Sequence, residues 1–342
     1  MMSQSHNLKK IPSNLPRQRS PITQRKHVLD LDDFSKEEIL DLIENTAAMK
    51  EVLGRDIKKT PTLRGKTIVT LFFEPSTRTR ASFEQAGKAL SADVINLSGQ
   101  NTSAEKGESL YNTALTIQAM KTDFLIIRHP HSGAPYFLAR HIDSHIINAG
   151  DGSHAHPTQA LLDLYTIHST LGQIKDLSVV IIGDILHSRV ARSNLWGLST
   201  MGAEITLCAP PTLMPQDFLD SSHQHKGHPF KSVRIEPNIK QAIKNADVVM
   251  SLRLQTERQQ SGKLPTLREY SKMYGLTSEH MSLAKPGALV MHPGPMNEGV
   301  EISSDVAHGI TSVIEDQVTN GVAVRMALLY KLISDTRENG QT

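Results

Sequence analysis

Apolar positions along this chain recur in two alternating rhythms. DFSKEEILDLIENTAAMKEVL (33–53) has the three-to-four-residue spacing of an amphipathic helix, with Ser35 as N-cap and Glu38 three residues on completing a capping box. TIVTLFF (67–73) is a short continuous apolar run, the signature of a buried strand, and RASFEQAGKAL (80–90) returns to helical spacing. DVINL (93–97) predicts a short strand, followed by a polar loop and a helix over SLYNTALTIQAM (109–120). FLIIRH (124–129) and HIINA (145–149) predict further strands, and a long helix follows Pro157 through QALLDLYTIHSTL. The pattern then restarts, with a strand at SVVIIGD (178–184), a helix over SRVARSNLWGLSTMG (188–202) and strands at EITLCAP (204–210), DVVMSLR (247–253) and ALVMHP (288–293). VAVRMALLYKLISDT (322–336) predicts a last helix with an apolar face to bury.

Strand–helix alternation of this kind argues for parallel sheets covered by helices. The expected fold class is α/β, with two doubly wound parallel-sheet domains joined by interdomain helices. The ordered chain is expected to begin near Leu29 and to hinge near residues 157–175. The expected divisions are a mobile N-terminal arm at 1–25, a first domain at 26–165, a second at 166–315, and a C-terminal helix at 316–342 that packs back on the first domain.

Composition narrows the function. At 342 residues, two domains is the natural division. Apolar residues make up 38% and charged residues 21%, as in soluble globular proteins, and no apolar run approaches the roughly 18 residues of a membrane span. Net charge is +2 with both signs interspersed, so nothing favours nucleic acid or an anionic membrane as partner. Any anion must be bound by a local cluster. The single cysteine, Cys208, excludes an internal disulfide and a multi-cysteine metal centre; its apolar setting reads as a small buried hydrophobe, and the count fits a reducing cytoplasm. The first 25 or so residues are polar, basic and proline-containing and lack the apolar core of a secretory signal.

In open α/β sheets, ligands bind beyond the carboxyl ends of the strands. Here those ends carry Ser76-Thr77-Arg78-Thr79-Arg80, Arg128-His129, His154-Ala155-His156, Ser188-Arg189, Arg253 and His292-Pro293. Ser and Thr at a helix start ordinarily cap backbone N–H groups. Arginine there is disfavoured, because the helix N-terminus already carries partial positive charge. Arg80 has Glu84 four residues on as an expected partner. Arg78 has no such local partner, and a bound anion is the simplest compensation: free N–H groups, hydroxyls and a guanidinium would converge on it.

Glu74–Phe83, EPSTRTRASF, resembles the carbamoyl-phosphate loop of the aspartate and ornithine carbamoyltransferase superfamily. The resemblance continues through Lys106-Gly107-Glu108, Arg128-His129-Pro130, Asp151-Gly152 with His156-Pro157-Thr158-Gln159, Gly183-Asp184 with Ser188-Arg189, Arg253-Leu254-Gln255 and His292-Pro293-Gly294-Pro295, over roughly residues 30–335. The His-Cys-Leu-Pro loop of the ornithine enzymes is replaced here by His-Pro-Gly-Pro. Arg189, Arg253 and Arg258, with Gln255 among them, suit an acceptor bearing two carboxylates, since arginine matches carboxylates bidentately.

The resemblance implies carbamoyl transfer from carbamoyl phosphate to the amine of L-aspartate, an early step of de novo pyrimidine synthesis in the cytoplasm, with no cofactor and no metal. It implies that Ser76, Thr77, Arg78 and Thr79 cradle the phosphate, and that Thr79, Arg128 and His156 face the carbonyl oxygen. It places Gln159 and the Gly294-Pro295 backbone at the carbamoyl NH2, and Arg189, Arg253 and Gln255 on aspartate. Ser103 and Lys106 would come from a loop entering the neighbouring subunit's site, Lys106 touching both substrates, in a homotrimer with shared sites. Glu74 would pair with Arg189 and Arg258 as the domains close. Pro157 suits a first helical position, which makes His156 the cap of a second helix start, where the dipole favours a neutral imidazole. The arm and the His-Pro-Gly-Pro loop resemble those of forms that associate with a dihydroorotase-like partner, so a higher assembly with such a chain or a regulatory chain is a further expectation. Where many relatives have Asn-Arg-Gly-Val-Glu, this chain has Asn297-Glu298-Gly299-Val300-Glu301, a charge reversal expected to act on loop stability or aspartate affinity.

Other readings stay open on the residues alone. His154-Ala155-His156 would suit a metal hydrolase, although the later strand ends carry arginine rather than further ligands. A carbamoyltransferase for another amino acid and a non-catalytic homologue acting as scaffold are the remaining alternatives.

Overall fold

The computed structural model describes residues 25–99, 109–255 and 266–339, with side chains as far as 335. In chain order the first half runs α1 (Lys36–Leu53), β1 (Thr67–Phe72), α2 (Thr77–Ala89), β2 (Asp93–Ser98), α3 (Leu110–Ala119), β3 (Phe124–His129), α4 (Ala134–Ala139), β4 (His145–Asp151) and α5 (Pro157–Leu171). The second half runs β5 (Ser178–Ile182), α6 (Arg189–Met201), β6 (Glu204–Cys208), α7 (Gln216–Leu219), β7 (Arg234–Ile235), α8 (Ile239–Ile243), β8 (Val248–Ser251), α9 (Leu267–Tyr274), α10 (Ser278–Met281), β9 (Leu289–Met291), α11 (Ser304–Ala307) and α12 (Ile314–Asn339).

The strands form two sheets, ordered β2-β1-β3-β4 and β7-β6-β5-β8-β9, with every pairing parallel. Parallel strands are buried on both faces, which is why Phe124–Ile127 of β3 and Val179–Ile182 of β5 read as unbroken apolar runs. Successive side chains then go to opposite faces. Ile68 and Ile126 join the large cluster shared with α12, while Val69, Leu71, Leu125 and Ile127 pack on the other face with Ala114 and Ile117 of α3. The second sheet divides the same way: Val179 and Ile181 face the large cluster, and Val180 and Ile182 face Ile239 and Tyr270. β7 is two residues long, too short for any periodic signal.

At the N-terminus of α1, Ser35 and Glu38 form the expected capping box. Arg25, the last residue of the expected arm, is anchored: its guanidinium meets Asp33 at 2.9 Å and Glu38 at 3.1 Å and lies 3.7 Å from the Phe34 ring centroid. Residues ahead of the expected start near Leu29 are thus held against α1 as well. α12 packs against α1, α2 and α5, and its Val324, Met326, Ala327 and Leu329 are wholly buried. Cys208 is buried in β6, and burial pushes its thiol up to about 12. No helix among the described residues is long and apolar enough to cross a membrane.

Leu329 sits in the cluster common to both sheets. Leu329→Ala should cost about 2–5 kcal/mol through lost burial and the cavity left behind. A thermal melt reads this as a lowered midpoint; an unchanged midpoint would contradict a shared core.

Candidate active site

Each sheet has a point where the strand order reverses: between β1 and β3 in the first, between β5 and β8 in the second. The crevice at the carboxyl ends of such a pair is where α/β sheets bind ligands. Glu74–Thr79 follows β1 and Arg128 ends β3; Ser188 and Arg189 follow β5 and Arg253 follows β8. The two crevices open into one cavity of about 800 Å³. It is lined by every described residue of the expected set: Ser76, Thr77, Arg78, Thr79, Arg128, His156, Gln159, Arg189, Arg253, Gln255, Gly294 and Pro295. Ser103, Lys106 and Arg258 lie outside the described residues.

Two helices begin at this cavity with their first turns open. Ser76 is the N-cap of α2 and His156 that of α5, and neither makes a side-chain cap bond. Elsewhere Ser109 and Ser188 do cap their helices, at α3 and α6. The first-turn N–H groups of α2 are thus left for another acceptor; in α5 Pro157 has no N–H and Gln159 donates to the His156 carbonyl at 3.0 Å, which leaves the Thr158 N–H. Arg78 occupies the second position of α2, and among the described residues no carboxylate pairs with it. Burial, and then the charge of Arg253, pull its guanidinium below the usual arginine range. Two cations from different sheets therefore face one another. Gly294 permits the approach: at φ +59°, a Cβ there would lie 3.1 Å from the Arg78 Cζ. The peptide between Gly294 and Pro295 is cis.

Glu74 ties the two sheets together. Its Oε2 accepts from Arg189 Nη2 at 2.9 Å and lies 3.2 Å from Arg128 Nε. Arg189 also donates to the Gly152 carbonyl at 3.1 Å. The Glu74–Arg189 pair is part of the expected arrangement; the addition is Arg128, whose spacing along the chain offers no reason to pair it with Glu74. Removing one partner from such a shielded set leaves buried charge uncompensated, at a cost of about 3–5 kcal/mol.

His156 is almost wholly buried, and its Nδ1 has no partner among the described residues. Its backbone N–H donates to Ser193 Oγ at 2.9 Å. The imidazole is neutral as expected, but the main cause differs. Burial lowers its pKa first, followed by the charges of Arg189, Arg128 and Arg325. Gln159 donates to Asp163 at 3.1 Å, and the same buried carboxylate takes bonds from Asn194 and Gln317 at 2.8 Å each. Burial raises the Asp163 carboxyl to about 6. Gln317 in turn accepts from the His292 N–H at 3.0 Å, so α12 braces the 292–295 loop against α5. Asp163, Gln317 and Arg325 escaped the sequence reading. Only Arg325 left a signal, a lone arginine inside VAVRMALL.

One local expectation needs correction, and two open alternatives are narrowed. Glu84 bonds Lys88 and Asn96 rather than Arg80. His154 and His156 part company: His154 turns to Asp151, 3.2 Å away, and stands 3.9 Å from Asp30, while His156 stays among arginines. Glu298 is exposed, pairs with His308 at 3.3 Å and does not line the cavity, so its charge bears on the loop's outer edge rather than on a bound acceptor.

An open helix start beside an uncompensated arginine should bind inorganic phosphate. Arg78→Ala should weaken that binding by about 1.5–3 kcal/mol, roughly tenfold to a hundredfold in Kd, as read by titration calorimetry. Equal affinities would remove Arg78 from the anion site.

The family described as "Aspartate/ornithine carbamoyltransferase, carbamoyl-P binding domain" matches residues 26–169, and "Aspartate/ornithine carbamoyltransferase, Asp/Orn binding domain" matches residues 175–332. An aspartate carbamoyltransferase catalytic subunit from Roseiflexus sp. is 60% identical over 310 residues, covering 90% of this chain and 95% of its own. One from Chloroflexus aurantiacus is 58% identical, covering 90% and 98%. Among solved structures, aspartate transcarbamoylase from Trypanosoma cruzi in complex with carbamoyl phosphate and aspartate superimposes with a TM-score of 0.80 at 32% identity, covering 90% of this chain and 96% of its own. Matching loops and helix starts at a two-sheet cavity, together with agreement over both halves, place this chain in the aspartate/ornithine carbamoyltransferase family.

Proposed function

We propose that this chain transfers the carbamoyl group of carbamoyl phosphate to the amine of L-aspartate, giving N-carbamoyl-L-aspartate and phosphate, an early step of pyrimidine synthesis. The observation that carries this reading is the charge of the cavity: among the described residues, five arginines against two glutamates, four of the arginines from the carboxyl edges of both sheets and one from α12. A phosphate at one sheet and two carboxylates at the other would balance it. Relatives with 58–60% identity are aspartate carbamoyltransferases, and Arg189 and Arg253 would repel the ammonium of an ornithine side chain while pairing with a carboxylate.

Carbamoyl phosphate is already an activated donor. The neutral aspartate amine attacks its carbonyl carbon; the new C–N bond forms as the C–O bond to phosphate breaks. Phosphate leaves with the bonding pair and accepts the proton that the amine gives up. The protein's tasks are to hold two anions in contact and to stabilise the oxyanion as it develops. In this reading Ser76, Thr77, Arg78 and Thr79 cradle the phosphate on the first-turn N–H groups of α2. Thr79, Arg128 and His156 face the carbonyl oxygen, a neutral imidazole serving as N–H donor. Gln159 and the Gly294-Pro295 backbone orient the carbamoyl NH2. Arg189, Arg253 and Gln255 hold aspartate, with Arg189 exchanging Glu74 Oε2 for, or sharing it with, the incoming carboxylate.

We further propose a homotrimer in which Ser103 and Lys106 complete a neighbour's site. Their segment lies between β2 and α3, which leave Ile95, Tyr111 and Leu115 exposed and open to cover by a second copy. Sedimentation should give three times the chain mass; a monomer at working concentration would contradict shared sites.

Turnover of carbamoyl phosphate plus aspartate should be measured for the wild type and Arg78→Ala. The variant should lose about 10²-fold or more in kcat, the scale for one transition-state donor. Wild-type rates in the variant, or no turnover by the wild type, would overturn the reading.

A further inference from the structure

Arg325 is a cation in an apolar wall. It lies in α12 between Val324 and Met326, both wholly buried, and is itself 3% exposed. Among the described residues no carboxylate lies within ion-pair distance of its guanidinium, and its Nε has no hydrogen-bond partner. Its Nη1 donates to the Gly321 carbonyl at 2.9 Å and its Nη2 to Thr158 Oγ1 at 3.4 Å, while its Cζ stands 5.0 Å from the Phe83 ring centroid. Gly321 makes room for it, since a Cβ there would come 2.6 Å from Nη1. Thr158 is the second residue of α5, directly after His156-Pro157, and Phe83 belongs to α2. The arginine therefore stands between the two helices whose open N-termini face the cavity, and it lines that cavity.

Burying an unpaired cation is costly, and the site lowers the cost only in part. The aromatic face of Phe83 and the neutral acceptors, the Gly321 carbonyl and Thr158 Oγ1, help. Asp163 acts at longer range, and burial still lowers the guanidinium to about 10. A purely structural position could be filled by a leucine, which would pack the same wall without that penalty. The cost points to a use for the charge.

We propose that Arg325 is a positioning residue for carbamoyl transfer: a buried, permanently charged brace that fixes the first turn of α5 through Thr158 and so sets where His156, at the start of that helix, meets the carbamoyl oxygen. This rests on the carbamoyltransferase reading of the site. The charged groups near His156 are Arg128 from β3, Arg189 from α6 and Arg325 from α12. Arg128 and Arg189 share the Glu74 carboxylate, so their charges are partly cancelled and change partners when substrates arrive. Arg325 is tied to no carboxylate, and its field at His156 is the constant one. On α5 itself, Asp163 faces Arg325 and offsets some of that field.

The test is the protonation of His156, followed by ring 15N NMR with His156→Gln to assign the signal, beside the pH profile of kcat at saturating substrates. In the wild type the imidazole should stay neutral well below the pH at which a free imidazole protonates. In Arg325→Gln its titration, and with it the acid limb of kcat, should move up in pH, because a neighbouring positive charge is gone. Arg325→Lys keeps a buried cation on an aliphatic stem but loses the fork to Gly321 and Thr158. It should leave His156 neutral while kcat falls about tenfold or more. A wild-type imidazole titrating near 6.5, an Arg325→Gln limb that does not move, or an Arg325→Lys protein with either a protonated His156 or wild-type kcat would overturn the inference. Should Arg325→Gln not fold, the lysine variant decides. The NMR readout needs no turnover, so an inactive wild type would count against the proposed reaction, whereas a shifted His156 signal bears on Arg325 alone.

Discussion

The central constraint is mutual repulsion among cations held in a small, partly dry space. Arg78, Arg128, Arg189 and Arg253 converge on one cavity, and Glu74 is the carboxylate that bridges two of them. Like charges repel one another, and the more strongly where water is partly excluded. The fold tolerates this because α12 packs on three other helices and shares a core with both sheets. An anion entering the cavity removes the repulsion, so binding energy is available at the place where reaction requires the substrates to meet.

Topology explains why the charges are there. A parallel sheet whose strand order reverses leaves a gap at its carboxyl edge, and both sheets turn that gap toward the same space. At the first gap the chain enters α2 through Ser76 and Thr77 without spending their hydroxyls on a cap. At the second it enters α6 through Ser188, which does cap, and Arg189 immediately reaches across to Glu74. The two helix starts look alike in sequence, Ser followed by Arg within two residues, yet only the first is left open. The first resembles an anion cradle and the second a clamp between sheets.

Much of this was legible beforehand. Continuous apolar runs disclosed most strands because parallel strands are buried on both faces, and the misplaced charge of Arg78 pointed to the cavity as a candidate anion site because a helix start should not carry arginine. What escaped was set by tertiary packing. Asp163 and Gln317 are ordinary polar residues on helices, and only the meeting of α5 with α12 makes them partners. Arg128 reaches Glu74 because β3 lies beside β1 in register, a pairing that spacing along the chain does not encode. The neutrality of His156 was anticipated from a helix dipole, whereas burial and three surrounding arginines dominate. The assignment of Glu84 to Arg80 failed because Lys88 sits one turn further along the same helix and competes for the same carboxylate.

A crystal structure with a phosphonate–dicarboxylate bisubstrate analogue tests the central claim most directly. The account predicts the phosphonate on the first-turn N–H groups of α2 with the Arg78 guanidinium against it, and the two carboxylates on Arg189 and Arg253. An empty cavity, or an analogue bound elsewhere with Arg78 and Arg253 still facing each other, would contradict it.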